Sequence, residues 1–452
     1  MRRERITDTL TLAKAIAARV REAGGRTYLV GGYVRDTLLG RVSKDIDIEV
    51  YGLTPAALRT LLGEFGEPYA RGASFGVLGL RHSDIDIAMP RKETAIGGGH
   101  KDFDVIVDPF LPEEQAARRR DFTVNALYMD PLTGNVLDCF HGLEDLKNGV
   151  LRHVAEDSFP EDPLRVFRAA RFAAVLGFTV AEATVRLCRR MELAALSRER
   201  VFEELSRTLQ KAAHPSVFFT TLRQMGQLSP FFPEIEALIG ALQNPRYPLE
   251  EDVFSHVLRV IDAGAALKDK ARDPAAFMLA CLFHDAGKSV PLVRDADGAV
   301  CGPGHGPAGV PVAERALNRL TNDRHLIAYT LDMVRRHMDP LLLFKRQAPE
   351  AESRALLDAS VCPGDLLLLT RADGLGKVRP PLAGMDAFWE ERYRDYTLWR
   401  SLPRVTGGDL IALGFRPGES MGALLKKTYQ WSLEGIGREE ALQRLRDERD
   451  VS

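Results

Sequence analysis

The stretch YLVGGYVRDTLLGRVSKDIDIEVYG, residues 28–52, decides how the N-terminal part of the chain folds. Tyr28–Val30 reads as a short apolar strand that runs into Gly31-Gly32. Glycine tolerates the backbone angles of a tight turn and lets a phosphate approach main-chain N–H groups closely. Val34–Leu39 has helical spacing and stops at Gly40. Asp45–Val50 then alternates acidic and apolar residues, which predicts a strand with Asp45 and Asp47 on one face. Carboxylate oxygens are the ligands a hard divalent cation prefers. A Gly-Gly turn facing paired carboxylates therefore predicts a place where a nucleoside triphosphate meets Mg2+. Asp86 lies in a later alternating stretch, HSDIDIAMP, and an adjacent strand there would add a third carboxylate.

Around this stretch the pattern is mixed. Residues 7–23 have helical apolar spacing and end at Gly24-Gly25. Thr54–Phe65 reads as a helix with Thr54 as N-cap and Pro55 in the first turn. Gly76–Leu80 and Asp84–Ala88 read as paired strands, and residues 90–102 have loop chemistry with three consecutive glycines. Beyond Pro160 the apolar spacing is helical almost throughout, broken by a Gly/Pro-rich loop at 302–309. The expected fold class is α+β: a small-sheet head over 1–150, then helical segments over 151–245, 246–375 and 376–452.

A chain of 452 residues is too long for one core. Its 45% hydrophobic and 27% charged residues suit a globular protein. No apolar run reaches the ~18 residues of a membrane span, and MRRERITDTL has no apolar signal core, so a cytoplasmic protein is expected. Five scattered cysteines without a CxxC pair argue against a disulfide frame or a zinc ribbon. The net charge of −2 does not itself point to nucleic acid, but arginines cluster at 118–120 and through 165–207.

Three further motifs follow. Arg119-Arg120-Asp121-Phe122-Thr123-Val124-Asn125 offers a phosphate contact in Arg120 and polar groups for ribose hydroxyls in Asp121 and Asn125. In EDPLRVFRAARF, residues 161–172, Asp162 and Arg165 stand three apart on an expected helix, with Arg168 and Arg171 extending the face. A carboxylate beside a guanidinium offers acceptor and donor edges to a base. Glu199-Arg200-Val201 with Glu203 and Glu204 completes the set. Taken alone, each motif has an ordinary structural reading, such as a surface salt bridge. Their order and spacing from residue 28 to residue 204 resemble the class II tRNA nucleotidyltransferase and bacterial poly(A) polymerase family.

That resemblance implies catalytic Asp45, Asp47 and Asp86, with Mg2+ on Asp45 and Asp47. It implies nucleotide contacts from Gly31, Gly32, Arg35, Arg120, Asp121, Asn125, Asp162, Arg165, Arg168 and Arg171. In similar enzymes the Asp–Arg pair selects CTP and ATP without a nucleic-acid template, and a mobile loop like 90–102 helps the switch from adding C to adding A. The implied partner is the 3′ acceptor end of tRNA.

A second constellation lies downstream. His256 is followed after 28 residues by His284-Asp285, and Asp373 sits in TRADGLGK; His305 and His337 are further candidates. Imidazole and carboxylate form a ligand set for a divalent metal of open identity. The arrangement resembles the HD phosphohydrolase superfamily, which some tRNA nucleotidyltransferases carry after their neck and body helices. The implied division is a nucleotidyltransferase head (1–150), a neck and body with the base-selecting helix (151–245), an HD domain (246–375) and a tail for tRNA contact (376–452). The implied function is CCA addition to tRNA, with a 2′,3′-cyclic phosphodiesterase or phosphatase for 3′-end repair. Poly(A) polymerase is the nearest alternative; the HD residues and the mixed-charge ending REEALQRLRDERDVS both favour the tRNA enzyme. A CC-only or A-only enzyme, a chain acting mainly as an HD phosphohydrolase, and a monomer or a dimer all stay open.

Overall fold

A computed structural model describes residues 2–43, 45–70, 77–95, 103–241, 252–290 and 304–451. The chain divides into two compact units: Met1–Leu205 with Val217–Pro230, and Ser206–Ser216 with Phe231–Ser452. The fold is α+β, a mixed sheet followed by a mostly helical remainder.

The first unit opens with α1 (Arg2–Glu22), β1 (Arg26–Val30), α2 (Gly32–Leu38), β2 (Ile46–Tyr51) and α3 (Pro55–Leu62). Strands β3 (Pro68–Ala70), β4 (Val77–Leu80), β5 (Ile85–Ala88), β6 (Arg91–Ala95) and β7 (Phe103–Val107) follow. Then come α4 (Glu113–Arg118), β8 (Tyr128–Met129), β9 (Val136–Leu137) and α5 (Gly142–Asn148). Seven strands form one sheet in the order β3-β4-β5-β2-β1-β8-β9. Only β2 and β5 run parallel within it; the other described pairings are antiparallel.

Burial explains the register. Ile46, Ile48 and Val50 are fully buried on one face of β2, each worth about 2 kcal/mol of apolar burial. A one-residue slip would expose all three and bury Asp47 in their place. Ala13, Ile16, Ala17 and Val20 of α1 are buried, and α1 packs on β1, β2 and α3. Thr54 caps α3 by accepting from the Ala57 N–H, as expected.

One sequence expectation fails here. The segment read as a loop at 90–102 begins with β6, paired antiparallel with β7 from Arg91↔Val107 to Ala95↔Phe103. RKETA carries little strand propensity of its own; its pairing partner FDVIV supplies it. Gly97–Gly99 lie outside the described residues.

The first unit continues through a strand Val150–Leu151, α6 (Arg165–Leu176), a strand Thr179–Val180 parallel to it, and α7 (Glu182–Arg189). α8 (Arg198–Lys211) and α9 (Ser216–Gln224) come next, and α10 (Pro233–Glu236) falls in the second unit. The second unit then has α11 (Val253–Leu267), α12 (Pro274–Phe283), α13 (His305–Leu320), α14 (Arg324–Arg336), α15 (Asp339–Lys345), α16 (Glu350–Ala359) and α17 (Pro363–Leu375). α11 packs on α12 and α17, and α13 on α14. It ends with α18 (Met385–Ser401), α19 (Gly407–Ala412), α20 (Glu419–Leu433) and α21 (Arg438–Val451). There Leu357, Leu366, Trp389, Tyr396, Trp399 and Leu433 share a core.

The expected loop at 302–309 is also corrected, because α13 starts at His305. Its glycines are packing residues. A Cβ on Gly306 would stand 2.7 Å from the Arg335 carbonyl oxygen, and one on Gly309 3.0 Å from the Gly287 nitrogen. Among the described residues no helix is long and apolar enough to cross a membrane.

Candidate active sites

In the head, three chain segments meet at one corner. Gly31 leaves β1 with φ +67° and N-caps α2, a conformation glycine takes without strain. A Cβ there would lie 3.7 Å from Arg120 Nη1 and 4.0 Å from Asp47 Oδ2. Val30 is the register partner of Asp47, and Asp47 that of Asp86 on parallel β5. Asp47 and Asp86 therefore lie side by side, both half-buried, while Asp45 stands exposed one position ahead of β2. Carboxylate oxygen is the donor type a hard cation takes, although among the described residues these three do not gather within 4.8 Å of one another.

Behind the corner runs a hydrogen-bonded chain. Buried Arg35 donates through Nε to Asp36 and through Nη1 to Asn125 Oδ1 at 2.7 Å. Asn125 Nδ2 donates to Asp121 Oδ1 at 3.0 Å. Arg168 donates to Asp121 Oδ2 through Nε at 2.8 Å and Nη2 at 2.6 Å. Arg168 also faces buried Glu204, which accepts from Arg171 Nε at 2.5 Å. Burial alone would push the Asp121 carboxyl up; the Arg168 charge and the hydrogen bonds from Asn125 and Arg168 outweigh it and hold it at about 2. Arg35, Asp121, Asn125, Arg168 and Arg171 thus engage one another, with Phe172 under the guanidinium groups of Arg35, Arg168 and Arg171.

Asp162 and Arg165 are arranged differently from expectation. Asp162 is extended (φ −119°, ψ 98°) and precedes α6 rather than lying on it. Pro163 disfavours helix at the residue before it. The Asp162 carboxylate receives Arg200 Nη2 at 2.9 Å and the Leu164 N–H at 3.1 Å. Arg165 donates to the Ser158 carbonyl at 2.7 Å and to the Arg119 carbonyl, rather than to Asp162. Burial pulls its guanidinium below the usual arginine range.

The second unit gathers all six of its candidate ligands. His256, His284 and Asp373 bring one ligand atom each within 4.8 Å of one another, and so do Asp285, His305 and His337. Asp285 joins the two triads. Its Oδ2 lies 3.5 Å from His256 Nε2 and 3.4 Å from His284 Nε2; its Oδ1 lies 3.3 Å from His305 Nε2 and 3.7 Å from His337 Nε2. Asp373 Oδ1 stands 3.0 Å from His256 Nε2.

The backbone sets the histidine tautomers. His284 Nδ1 lies 2.9 Å from the Cys281 carbonyl, His337 Nδ1 2.8 Å from that of Val334, and His256 Nδ1 3.3 Å from that of Gly376. A proton on Nδ1 leaves the Nε2 lone pair for a metal. The donor set, imidazole nitrogens with carboxylate oxygens, fits a transition metal. Lys288 pairs with Asp285 at 2.7 Å and Lys377 with Asp373 at 2.8 Å. Burial pushes both carboxyls up, but these ammonium groups and the histidines hold them well below the ordinary carboxylate range.

Comparison with known proteins follows the same division. Residues 27–152 match the poly A polymerase head domain, 177–239 the probable RNA and SrmB-binding site of polymerase A, and 253–373 the HD domain. The chain is 35% identical over 414 residues to the multifunctional CCA protein of Nitrosococcus oceani, covering 88% of this chain and 96% of that one. The chain belongs to the multifunctional CCA protein family. The family member of Chromobacterium violaceum is 39% identical over 308 residues, 67% of this chain and 72% of its own. Among solved structures, the Thermotoga maritima CCA-adding enzyme complexed with tRNA shares the fold at a TM-score of 0.64 and 21% identity, covering 97% of both chains. The Bacillus stearothermophilus CCA-adding enzyme in complex with CTP does so at 0.66 and 21%, covering 97% of this chain and 98% of that one.

Residues that reading the sequence left without a role also reach the sites. Glu204 stands in the fourth motif, which reads without a function, and Lys288 and Lys377 carry no role in the sequence although each is one turn from a candidate ligand aspartate. Glu49 was missed too, although its place two residues after Asp47 in an alternating strand was the signal.

Proposed function

We propose that this chain adds CCA to the 3′ end of tRNA from CTP and ATP without a nucleic-acid template, and that a phosphohydrolase in its second unit prepares damaged ends for that addition. The observation that carries the first part is the corner where Gly31, Arg120 and Asp47 meet with Asp86 in register. Family membership across nearly the full length of a relative supports the substrate assignment.

In this reading the tRNA 3′-hydroxyl attacks the α-phosphorus of the bound nucleotide, and pyrophosphate leaves. Asp45, Asp47 and Asp86 would hold Mg2+, which when bound neutralises triphosphate charge and favours ionisation of the hydroxyl. The Gly31-Gly32 turn admits the triphosphate to main-chain N–H groups, and Arg120 meets its charge. Asp162 and Arg165 face the base; Arg165 uses two of its five N–H groups on carbonyls and keeps three for recognition. Asp121, already holding Asn125 and Arg168, orders the wall of the site rather than gripping ribose itself. Segment 1–150 acts as head, 151–245 as neck and body, 246–375 as the HD domain, and 376–452 contacts tRNA through backbone and shape. Action on tRNA supports a cytoplasmic location for this protein.

In the second unit the two triads joined by Asp285 would hold divalent metal, whose chemistry when bound is activation of water against a phosphoester. The preassembled, backbone-anchored histidines support this activity.

The test incubates purified protein with tRNAs ending before C, CC and CCA, each with one labelled nucleoside triphosphate, and in parallel with an RNA 2′,3′-cyclic phosphate. Addition that stops after CCA is expected, together with opening of the cyclic phosphate. A homopolymeric A tail on any RNA would overturn the tRNA assignment in favour of a poly(A) polymerase, and an inert cyclic phosphate would remove the repair activity.

A further inference from the structure

At the Gly31 corner Arg120 is held from behind. Its Nη2 donates to Glu49 Oε2 at 2.7 Å, and Glu49 is 1% exposed. Its Cζ lies over the Tyr128 ring, 5.4 Å from the centroid. The Tyr51 hydroxyl stands 3.3 Å from Glu49 Oε1 and 3.2 Å from the Tyr128 hydroxyl, so the carboxylate is itself held. Tyr28, Tyr51 and Tyr128 meet edge to face around this pair. Arg120 is thereby held through Nη2 and against the Tyr128 ring, while Nη1, 3.5 Å from the Asn125 carbonyl oxygen, is the end nearest Gly31.

Glu49 sits two residues after Asp47 on β2, so a single strand face carries both the carboxylate at the corner and the carboxylate that aims the arginine. Burying a charge is unfavourable unless it is paired, and Arg120 supplies that pairing.

We propose that Glu49 is a positioning residue: it holds Arg120 so that Nη1 meets the phosphates of the incoming nucleoside triphosphate at the Gly31–Asp47 corner. This rests on reading the head as a nucleotidyltransferase. The phosphates are common to CTP and ATP, so the role is blind to the base.

The test measures kcat and KM for CTP and for ATP on tRNA lacking the corresponding nucleotides, for wild type, Glu49→Gln, Arg120→Ala and the double variant. Glu49→Gln keeps the side chain's shape and removes its charge, which guards against a variant that fails to fold; Glu49→Asp tests rescue by a shorter carboxylate. Losing one charge-assisted contact predicts a KM increase of about tenfold. The increase is expected to be equal for CTP and ATP, with kcat changed less than about threefold, partly restored in Glu49→Asp. The double variant is expected to match Arg120→Ala, because Glu49 acts through Arg120. Wild-type KM in Glu49→Gln, unequal effects on CTP and ATP, or multiplying effects in the double variant would each overturn the positioning role alone. A wild-type protein that incorporates neither nucleotide would overturn the reading of the head, and the positioning role with it.

Discussion

The two acidic sites of this chain are built on opposite plans. In the head, Asp47 and Asp86 are half-buried register partners and Asp45 is exposed. Among the described residues, these three do not form a group within 4.8 Å; the only such groups are in the second unit. There all six candidate ligands are buried, His284 fully and Asp285 to 2% exposure, and three of the histidine Nδ1 atoms lie against carbonyls. The difference follows from where each site finds its remaining ligands. Mg2+ is held by one or two carboxylates together with substrate phosphates, so a head site needs an open edge. An imidazole–carboxylate cage is complete in the protein and can be assembled before any substrate arrives.

The sharpest way to break this comparison is metal exchange. Protein stripped with a chelator and returned to Mg2+ alone is expected to regain all nucleotide incorporation and none of the cyclic-phosphate opening. A manganese, cobalt, nickel or zinc salt is expected to restore the second activity. Recovery of both with Mg2+ alone would show that the two sites do not differ in ligand demand.

Next in size are two aspartate removals that should separate catalysis from stability. Asp47→Ala is expected to cut kcat for incorporation about a thousandfold, the several kcal/mol a metal contact contributes, while leaving the urea midpoint unchanged. Asp285→Ala is expected to leave incorporation intact and abolish the second activity. It is also expected to destabilise the metal-free protein by about 3 kcal/mol, because it removes the buried carboxylate that Lys288 and four buried histidines engage. A metal-free Asp285→Ala protein as stable as wild type would mean that the cage is not electrostatically prepared for its ion.

How much of each site the sequence disclosed also differs. In the head, alternation in DIDIEV predicted the strand that carries Asp47, which begins one residue after Asp45, and the second run in HSDIDIA predicted the neighbouring strand. What sequence could not supply was side-chain direction. Asp162 and Arg165 look like an i,i+3 helical pair, yet Pro163 keeps Asp162 out of the helix and Arg200 takes its carboxylate. Arg120 looked like a simple phosphate contact because its partner Glu49 lies 71 residues away. In the second unit the ligand types were readable, but the spacing of His305 and His337 carries no periodicity that reveals a meeting at Asp285. Gly306 and Gly309 resembled a loop because close helix packing and turn formation call for the same residue.

The smallest effect concerns the wall of the head site. Asp121 sits at about 2 in the folded chain against an ordinary 3.8. A carboxyl with a lowered folded value adds stability that is fully present above about pH 4 and is lost as pH falls through the folded value. The shift corresponds to about 2 kcal/mol. Asp121→Asn keeps the shape and removes the titration. Comparing urea unfolding of wild type and this variant at pH 5 and pH 3 cancels the other carboxylates that titrate in both. The stability gap is expected to favour wild type at pH 5 and to narrow by pH 3. A gap that stays constant would mean that Arg168 holds Asp121 by shape and hydrogen bonding without net charge stabilisation, and the head wall would then resemble an ordinary polar core rather than the electrostatically tensioned cage of the second unit.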